Sequence, residues 1–378
     1  MGSLARGVAT VAVAWLPLLA LTADGAPRAA TRPIAENRST ARPAGPLIVR
    51  TPCPAFPADN VWNTPITGLP VDSRSVVWLA HMAARSTFLH PDFGPSGGRT
   101  PYGIPWQIAP AAARLVRVRF QYADQSDRGP YPLSAGTPIE GGASATGDRH
   151  ALMVDPRRCV LYELYDARFR PHGRSTAGSG AIWRLDSNRL RPSGWTSADA
   201  AGLPILPGLV NYEEVKSGHI DHAIRFTAQT TDTAYRWPAR HQAGSVANAE
   251  YPPMGARFRL SPRFSLPASK CARPCQVVLV AMQRYGLILA DNGSNWYFQG
   301  TADRRWTYAI VDQLKQIPAT AFAAVDESCL IVNRNSGQAL QPGTAAYDDA
   351  CGSVTPPTRT SAAAMHNVFV PNARARQK

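Results

Sequence analysis

The chain has 378 residues, 44% of them hydrophobic and 17% charged, which excludes wholesale disorder. Its 29 Gly and 34 Pro exceed the usual share of the pair, exclude a helical bundle and favour short strands and many turns. The formal charge of +14 does not mark a nucleic-acid binder: 36 of the 40 basic residues are Arg, scattered without a basic run, and there is no zinc finger, phosphate loop or dinucleotide fingerprint.

Residues 1–26 read as an export signal, with Arg6 at the positive start, an apolar core at 8–21 and a small-residue exit at 23–26. That core is shorter than the ~20 apolar residues of a membrane span, and no second one follows. The mature chain is therefore expected to be secreted, without a span. Residues 27–50, rich in Pro, Ala, Arg, Ser and Thr, read as a flexible linker. A single β-rich core domain is expected at 51–330, and a loosely ordered tail at 331–378.

Within the core, residues 73–84 carry apolar positions at helical spacing after Asp72, a candidate N-cap. Residues 115–121 alternate apolar and polar, the period of a half-buried strand. Two apolar runs, 150–155 and 160–165, flank Pro156-Arg157-Arg158 and predict a hairpin. Further strands fit 181–185, 220–227, 256–260 and 287–290. A helix fits 276–285, with Gly286 placed to close it. Irregular strand spacing predicts a β-sandwich of jelly-roll type with long functional loops and a few short helices.

The six cysteines, Cys53, Cys159, Cys271, Cys275, Cys329 and Cys351, form an even set in an exported chain, so disulfides are the default. Fifteen pairings are possible. Proximity suggests Cys271 with Cys275 and Cys329 with Cys351, leaving Cys53 for Cys159. A metal site is disfavoured, because the Cys271/Cys275 spacing has no second pair.

Polar residues that suit acid–base chemistry collect at several places. Glu140 opens a glycine-rich loop that ends in Asp148-Arg149-His150 at the mouth of a strand; a glycine turn with a surface Asp148–Arg149 pair is the bland alternative. Glu163 shares a strand face with Leu161 and Tyr165, where burial raises a carboxyl pKa unless an Arg partner makes it structural. His222 and Arg225 lie on a predicted strand, Arg240 and His241 follow Trp237, and Asp291 ends the run 287–290. Three imidazoles, His150, His222 and His241, would suit zinc or copper if they met, which sequence spacing alone does not show, and no metal or cofactor is assigned. Trp183, Trp237, Tyr251 and Trp296 are candidates for stacking on sugar rings, with core packing as the competing role. Glu213 and Glu214 read as first-turn helix carboxylates. No nucleophile elbow surrounds Ser179.

The segments 194–204 (GWTSADAAGLP), 237–241 (WPARH), 252–255 (PPMG) and 285–294 (YGLILADNGS) resemble an uncharacterised group of exported bacterial proteins. The resemblance spans roughly residues 55–327, implies one continuous domain and carries no activity with it.

These features predict an exported carbohydrate-active enzyme that cleaves a polysaccharide. As a glycoside hydrolase it would use Glu163 as general acid and Asp148 or Glu140 as second carboxylate. As a polysaccharide lyase it would use His222 or Tyr251 as base, with Arg225 or Arg240 neutralising a uronate. The competing reading is a non-catalytic glycan-binding or cell-surface module. The expected partner is an extracellular glycan, not nucleic acid.

Overall fold

A computed structural model describes residues 45–96, 100–171 and 174–352. The signal at 1–26, most of the linker and residues 353–378 of the tail lie outside them. The described strands are β1 (His90–Asp92), β2 (Trp106–Ile108), β3 (Val118–Phe120), β4 (Ala151–Asp155), β5 (Val160–Tyr165), β6 (Ser175–Ala177), β7 (Ser179–Arg184), β8 (Ile224–Ala228), β9 (Arg257–Leu260), β10 (Leu287–Asn292), β11 (Tyr297–Gln299) and β12 (Phe322–Val325). The helices are α1 (Ser75–His81), α2 (Tyr212–Ser217), α3 (Arg273–Arg284), α4 (Tyr308–Leu314) and α5 (Ala345–Cys351). None is long and apolar enough to cross a membrane.

The strands form three sheets, ordered β1-β11-β8-β10-β9-β12, β2-β4-β5-β7 and β3-β6. The fold is strand-rich with few helices, as expected. The jelly-roll pattern is not what the strand order describes. Four pairings, β1 with β11, β10 with β8, β2 with β4 and β3 with β6, are parallel, whereas a jelly roll is built from antiparallel strands.

The four-stranded sheet separates two cores. Leu152, Val154, Leu161, Ala181 and Trp183 face the large core, which also takes Phe226, Phe258 and Leu289 of the six-stranded sheet and Val278 and Met282 of α3. The alternate residues Met153, Val160, Tyr162 and Leu164 face a smaller core with Val118 and Ala177 of β3 and β6. Period-two alternation in β4 and β5 thus sends each strand's residues to two apolar layers. This is why both strands read as nearly continuous apolar runs.

Local chemistry sets the elements' ends. Pro274 lies in the first turn of α3, where a missing N–H costs nothing. Gly286 follows it at φ 73°, and a Cβ there would meet the Phe258 carbonyl oxygen at 2.5 Å. Asp72 does not cap α1 directly; its Oδ1 accepts from Arg74 N at 2.8 Å, and its carbonyl accepts from Ser75 N at 2.9 Å. The turn between β4 and β5 is closed by Asp155, whose carboxylate accepts from Arg157 N and Arg158 Nε.

The segment 331–352 was expected in the tail, yet it is tied to the core. Gln338 bridges to Asn60, the Ser336 carbonyl accepts from Trp237 Nε1, and Tyr347 is fully buried. Its Gly, Thr and Ala content hid side-chain and backbone hydrogen bonds that leave no periodic signature.

Three disulfides join Cys53 to Cys159, Cys271 to Cys275 and Cys329 to Cys351. Cys53–Cys159 spans 106 residues and Cys271–Cys275 spans 4, so the first constrains the unfolded chain far more. Replacing Cys53 and Cys159 together by Ser is expected to lower unfolding stability by about 4–5 kcal/mol, against about 2 for the Cys271/Cys275 pair. Urea titration measures both, and equal losses would contradict the loop-length account.

Candidate active site

The site starts from an arginine on a central strand. In β8, Ile224 and Phe226 enter the large core, so Arg225 points to the opposite sheet face. Its guanidinium is fully buried. Nε donates to Asp199 Oδ2 at 3.1 Å and Nη2 to the same oxygen at 2.6 Å. Nη1 donates to Gln299 Oε1 of β11, and Nη2 lies 3.5 Å from Asp291 Oδ2 of β10.

Asp291 reaches this face because β10 changes register. Leu289 pairs with Phe226, but Asp291 pairs with Thr227, so Ala290 is an extra residue. A regular strand would put Asp291 on the core side with Leu289. The bulge moves it to the Arg225 side, the kind of re-aiming that bulges provide next to functional sites.

Asp199 comes from the loop after β7. Its Oδ1 accepts from Ala201 N at 2.8 Å, and its carbonyl accepts from Gly202 N at 3.1 Å. Gly202, at φ 70°, is required because a Cβ would meet the Trp195 carbonyl oxygen at 2.4 Å. Burial pushes the Asp199 carboxyl up to about 7, with Arg225 pulling down and Asp291 pushing further up. Burial likewise raises the Asp291 carboxyl, against Arg225 and His150. Asp291 is still a quarter exposed, so it meets solvent while Asp199 does not.

A second pair stands beside the first. His150 Nδ1 lies 2.6 Å from Glu140 Oε2, and His150 Nε2 lies 3.1 Å from the Ala198 carbonyl oxygen. Burial works against the imidazolium, yet the Glu140 carboxylate outweighs it and brings the His150 pKa up to about 9. Burial also opposes ionisation of Glu140, but the imidazolium prevails and lowers its pKa. Asp148 is exposed next to them. Among the described residues, Glu140, Asp148 and His150 are the group that could hold a metal ion, with donor atoms within 4.8 Å of one another. Arg149 is not the Asp148 partner. It is buried and donates to the carbonyls of Ala143, Ala145 and Ala167, which staples the glycine-rich loop.

Asp148, Asp199, Asp291 and His241 line one cleft of about 350 Å3, with Tyr122, Tyr165, Gln125 and Ser197. Of the residues singled out in the sequence, Asp148, Asp291 and His241 thus share this cleft, His241 with its Nδ1 held at 2.8 Å by the Ala200 carbonyl, while Arg225 and the Glu140–His150 pair adjoin the lining through Asp291 and the Ala198 carbonyl. Asp199, Tyr122 and Tyr165 were not singled out from the sequence. Asp199 is the lone acid in the small-residue stretch 197–202, a signal that was available.

Other expected site residues lie elsewhere. Glu163 is fully buried, and its carboxylate accepts from Ile205 N at 2.9 Å, Leu206 N at 2.8 Å and Trp183 Nε1 at 3.0 Å. It closes the backbone donors at the start of the 3₁₀ turn Leu206–Gly208 and does not line the cleft of Asp148 and Asp291; its pKa is raised by burial. His222 pairs with Glu214 at 3.3 Å and with the Ala223 carbonyl oxygen at 2.8 Å. His150, His222 and His241 do not form a metal group. Arg240 donates to the carbonyls of Arg191 and Arg334 and to Asn335 Oδ1. Trp183 is buried against Glu163, Trp237 and Trp296 are buried and donate to the carbonyls of Ser336 and Met82, and the partly buried Tyr251 packs on His81 with ring centroids 4.1 Å apart and planes tilted by 40°. Large rings with one donor stabilise most when buried with that donor satisfied.

Two outcomes are expected. Glu163→Gln puts an amide NH2 against backbone or indole donors, so stability should fall by about 2 kcal/mol in urea titration; lost turnover with stability intact would return Glu163 to the chemistry. The raised His150 pKa favours the folded state fully below about 6.5, and this contribution disappears as pH rises through about 9. The stability gap between wild type and His150→Gln should therefore shrink by up to about 3 kcal/mol between pH 6 and pH 9.5. A gap independent of pH would contradict the ion pair.

Compared with family models, curated proteins and solved structures, the chain matches none.

Proposed function

We propose that the chain is an exported carbohydrate-active enzyme that hydrolyses a polysaccharide in the cleft of Asp148, Asp199 and Asp291. The observation that carries this reading is the contrast between two carboxyl groups lining one cleft. Asp291 is largely buried beside Asp199 and Arg225 with a raised pKa, whereas Asp148 is exposed to solvent. Carboxyls whose environments differ in this way divide the roles of acid and base. Asp291 is the general acid, holding a proton for the leaving glycosidic oxygen. Asp148 is the second carboxylate, acting on water or on the sugar directly. Arg225, itself held by Asp199, positions the Asp291 carboxyl. Three disulfides support export into an oxidising compartment.

Hydrolysis is favoured over elimination because the cations proposed to neutralise a uronate are committed. Arg225 is saturated by Asp199, Gln299 and Asp291, and Arg240 by two carbonyls and Asn335. A binding module without turnover is the second reading, favoured by two rings, Tyr122 and Tyr165, that line the same cleft.

Reducing-sugar release on a glycan panel tests the proposal. Asp291→Asn should lower kcat at least ~10²-fold. Because the acid must be protonated, activity should fall as pH rises through the raised Asp291 pKa, on the alkaline side of the ordinary carboxylate range. An unsaturated-uronate absorbance would indicate a lyase, and binding without product would leave the module.

A further inference from the structure

A second cavity is larger than the acidic cleft. It measures about 660 Å3, within the ~300–1,000 Å3 usual for ligand sites. The loop from Ile139 to Arg149 walls both spaces: Ile139, Gly142, Ala143 and Arg149 line the larger one, and Asp148 lines the smaller. A polymer cleaved beside Asp148 has this cavity as its neighbour across one loop.

Its lining has a distinct chemistry. Trp106 belongs to β2, the edge strand of its sheet, and is partly exposed there, unlike the buried Trp183, Trp237 and Trp296. Arg50 is exposed, and its guanidinium sits over the Trp106 ring, 5.2 Å from the centroid. Arg305, also in the lining, is paired with Asp303 and Glu213. Arg50 forms no ion pair at contact distance among the described residues, although the Asp303 carboxylate of the same lining feels its charge. Thr100, Ser134 and Thr301 also line this space.

We infer that this cavity is a distal subsite for the same polymer and that Arg50, held over the Trp106 ring, selects a sugar carrying a carboxylate there. The inference rests on the hydrolase reading for its polymer but not for its binding chemistry. An indole offers a flat apolar face to a sugar ring. A guanidinium held over that ring presents its donor fork to a carboxylate, which a planar cation binds in bidentate fashion. The chain's charge of +14 favours the approach of an acidic polymer.

The test uses the full chain and measures binding by calorimetry. The probes are uronate dimers and hexamers from polygalacturonate, alginate and glucuronoxylan, together with the carboxyl-reduced hexamers. A uronate hexamer should bind wild type, and Arg50→Gln should weaken it about tenfold or more, the loss of a charge-assisted hydrogen bond, while changing the reduced hexamer little. Trp106→Ala should weaken both hexamers, Trp106→Phe should restore part of the loss, and dimers confined to the cleft should be insensitive to either position. Circular dichroism checks that these surface variants fold. Equal binding of acidic and reduced hexamers, or acidic binding indifferent to Arg50→Gln, overturns the subsite. Cleavage of neutral glycans with no preference for acidic ones overturns it while leaving the hydrolase reading. Arg50-dependent uronate binding without cleavage does the reverse.

Discussion

The architecture around the cleft turns on one buried cation. Arg225 sits on an inner strand of the six-stranded sheet with no exposed surface, and an uncompensated charge at such a depth is not tolerated. Its partners arrive from three directions: Asp199 from the loop after β7, Gln299 from β11 and Asp291 from β10. Meeting that requirement accounts for features that look unrelated in sequence. These are the left-handed turn at Gly202, the extra residue at Ala290, and the placing of β11 beside β8.

One guanidinium supports two carboxyls here, and this imbalance gives the cleft its chemistry. Arg225 Nη2 is 2.6 Å from Asp199 and 3.5 Å from Asp291, so the closer carboxylate takes most of the cation. The neighbouring Glu140–His150 pair is more evenly matched and compensates itself. Burial nevertheless raises the pKa of both Asp199 and Asp291, and of these Asp291 is the one in contact with solvent.

Glu163 illustrates why a buried carboxylate is an ambiguous sign. The same burial that raises its pKa obliges the fold to surround it with donors, and those donors then consume every lone pair a substrate would need. Asp291 differs in accessibility, not in the direction of its shift. His222 and Arg240 repeat the lesson, since each is buried and each is satisfied by neighbouring carbonyls or a single carboxylate.

Strand content, the β4–β5 hairpin, α3 and its glycine stop, and the pairing of near cysteines were all legible in sequence, because each depends on periodicity or short-range spacing. So was the gathering of polar residues around 140–150, 225 and 291. The three-residue strands β1, β2, β6 and β11 were not, since three residues carry no measurable period. Nor were the parallel pairings, which are contacts between distant segments, or the packing of 331–352, which rests on individual hydrogen bonds. Sequence determined which residues carry charge, aromatic surface and turn chemistry. Only the tertiary structure decided which charges face solvent and which are consumed internally. That depends on where a strand shifts register by one residue and on which donors a neighbouring loop delivers, and neither is a local property of the chain.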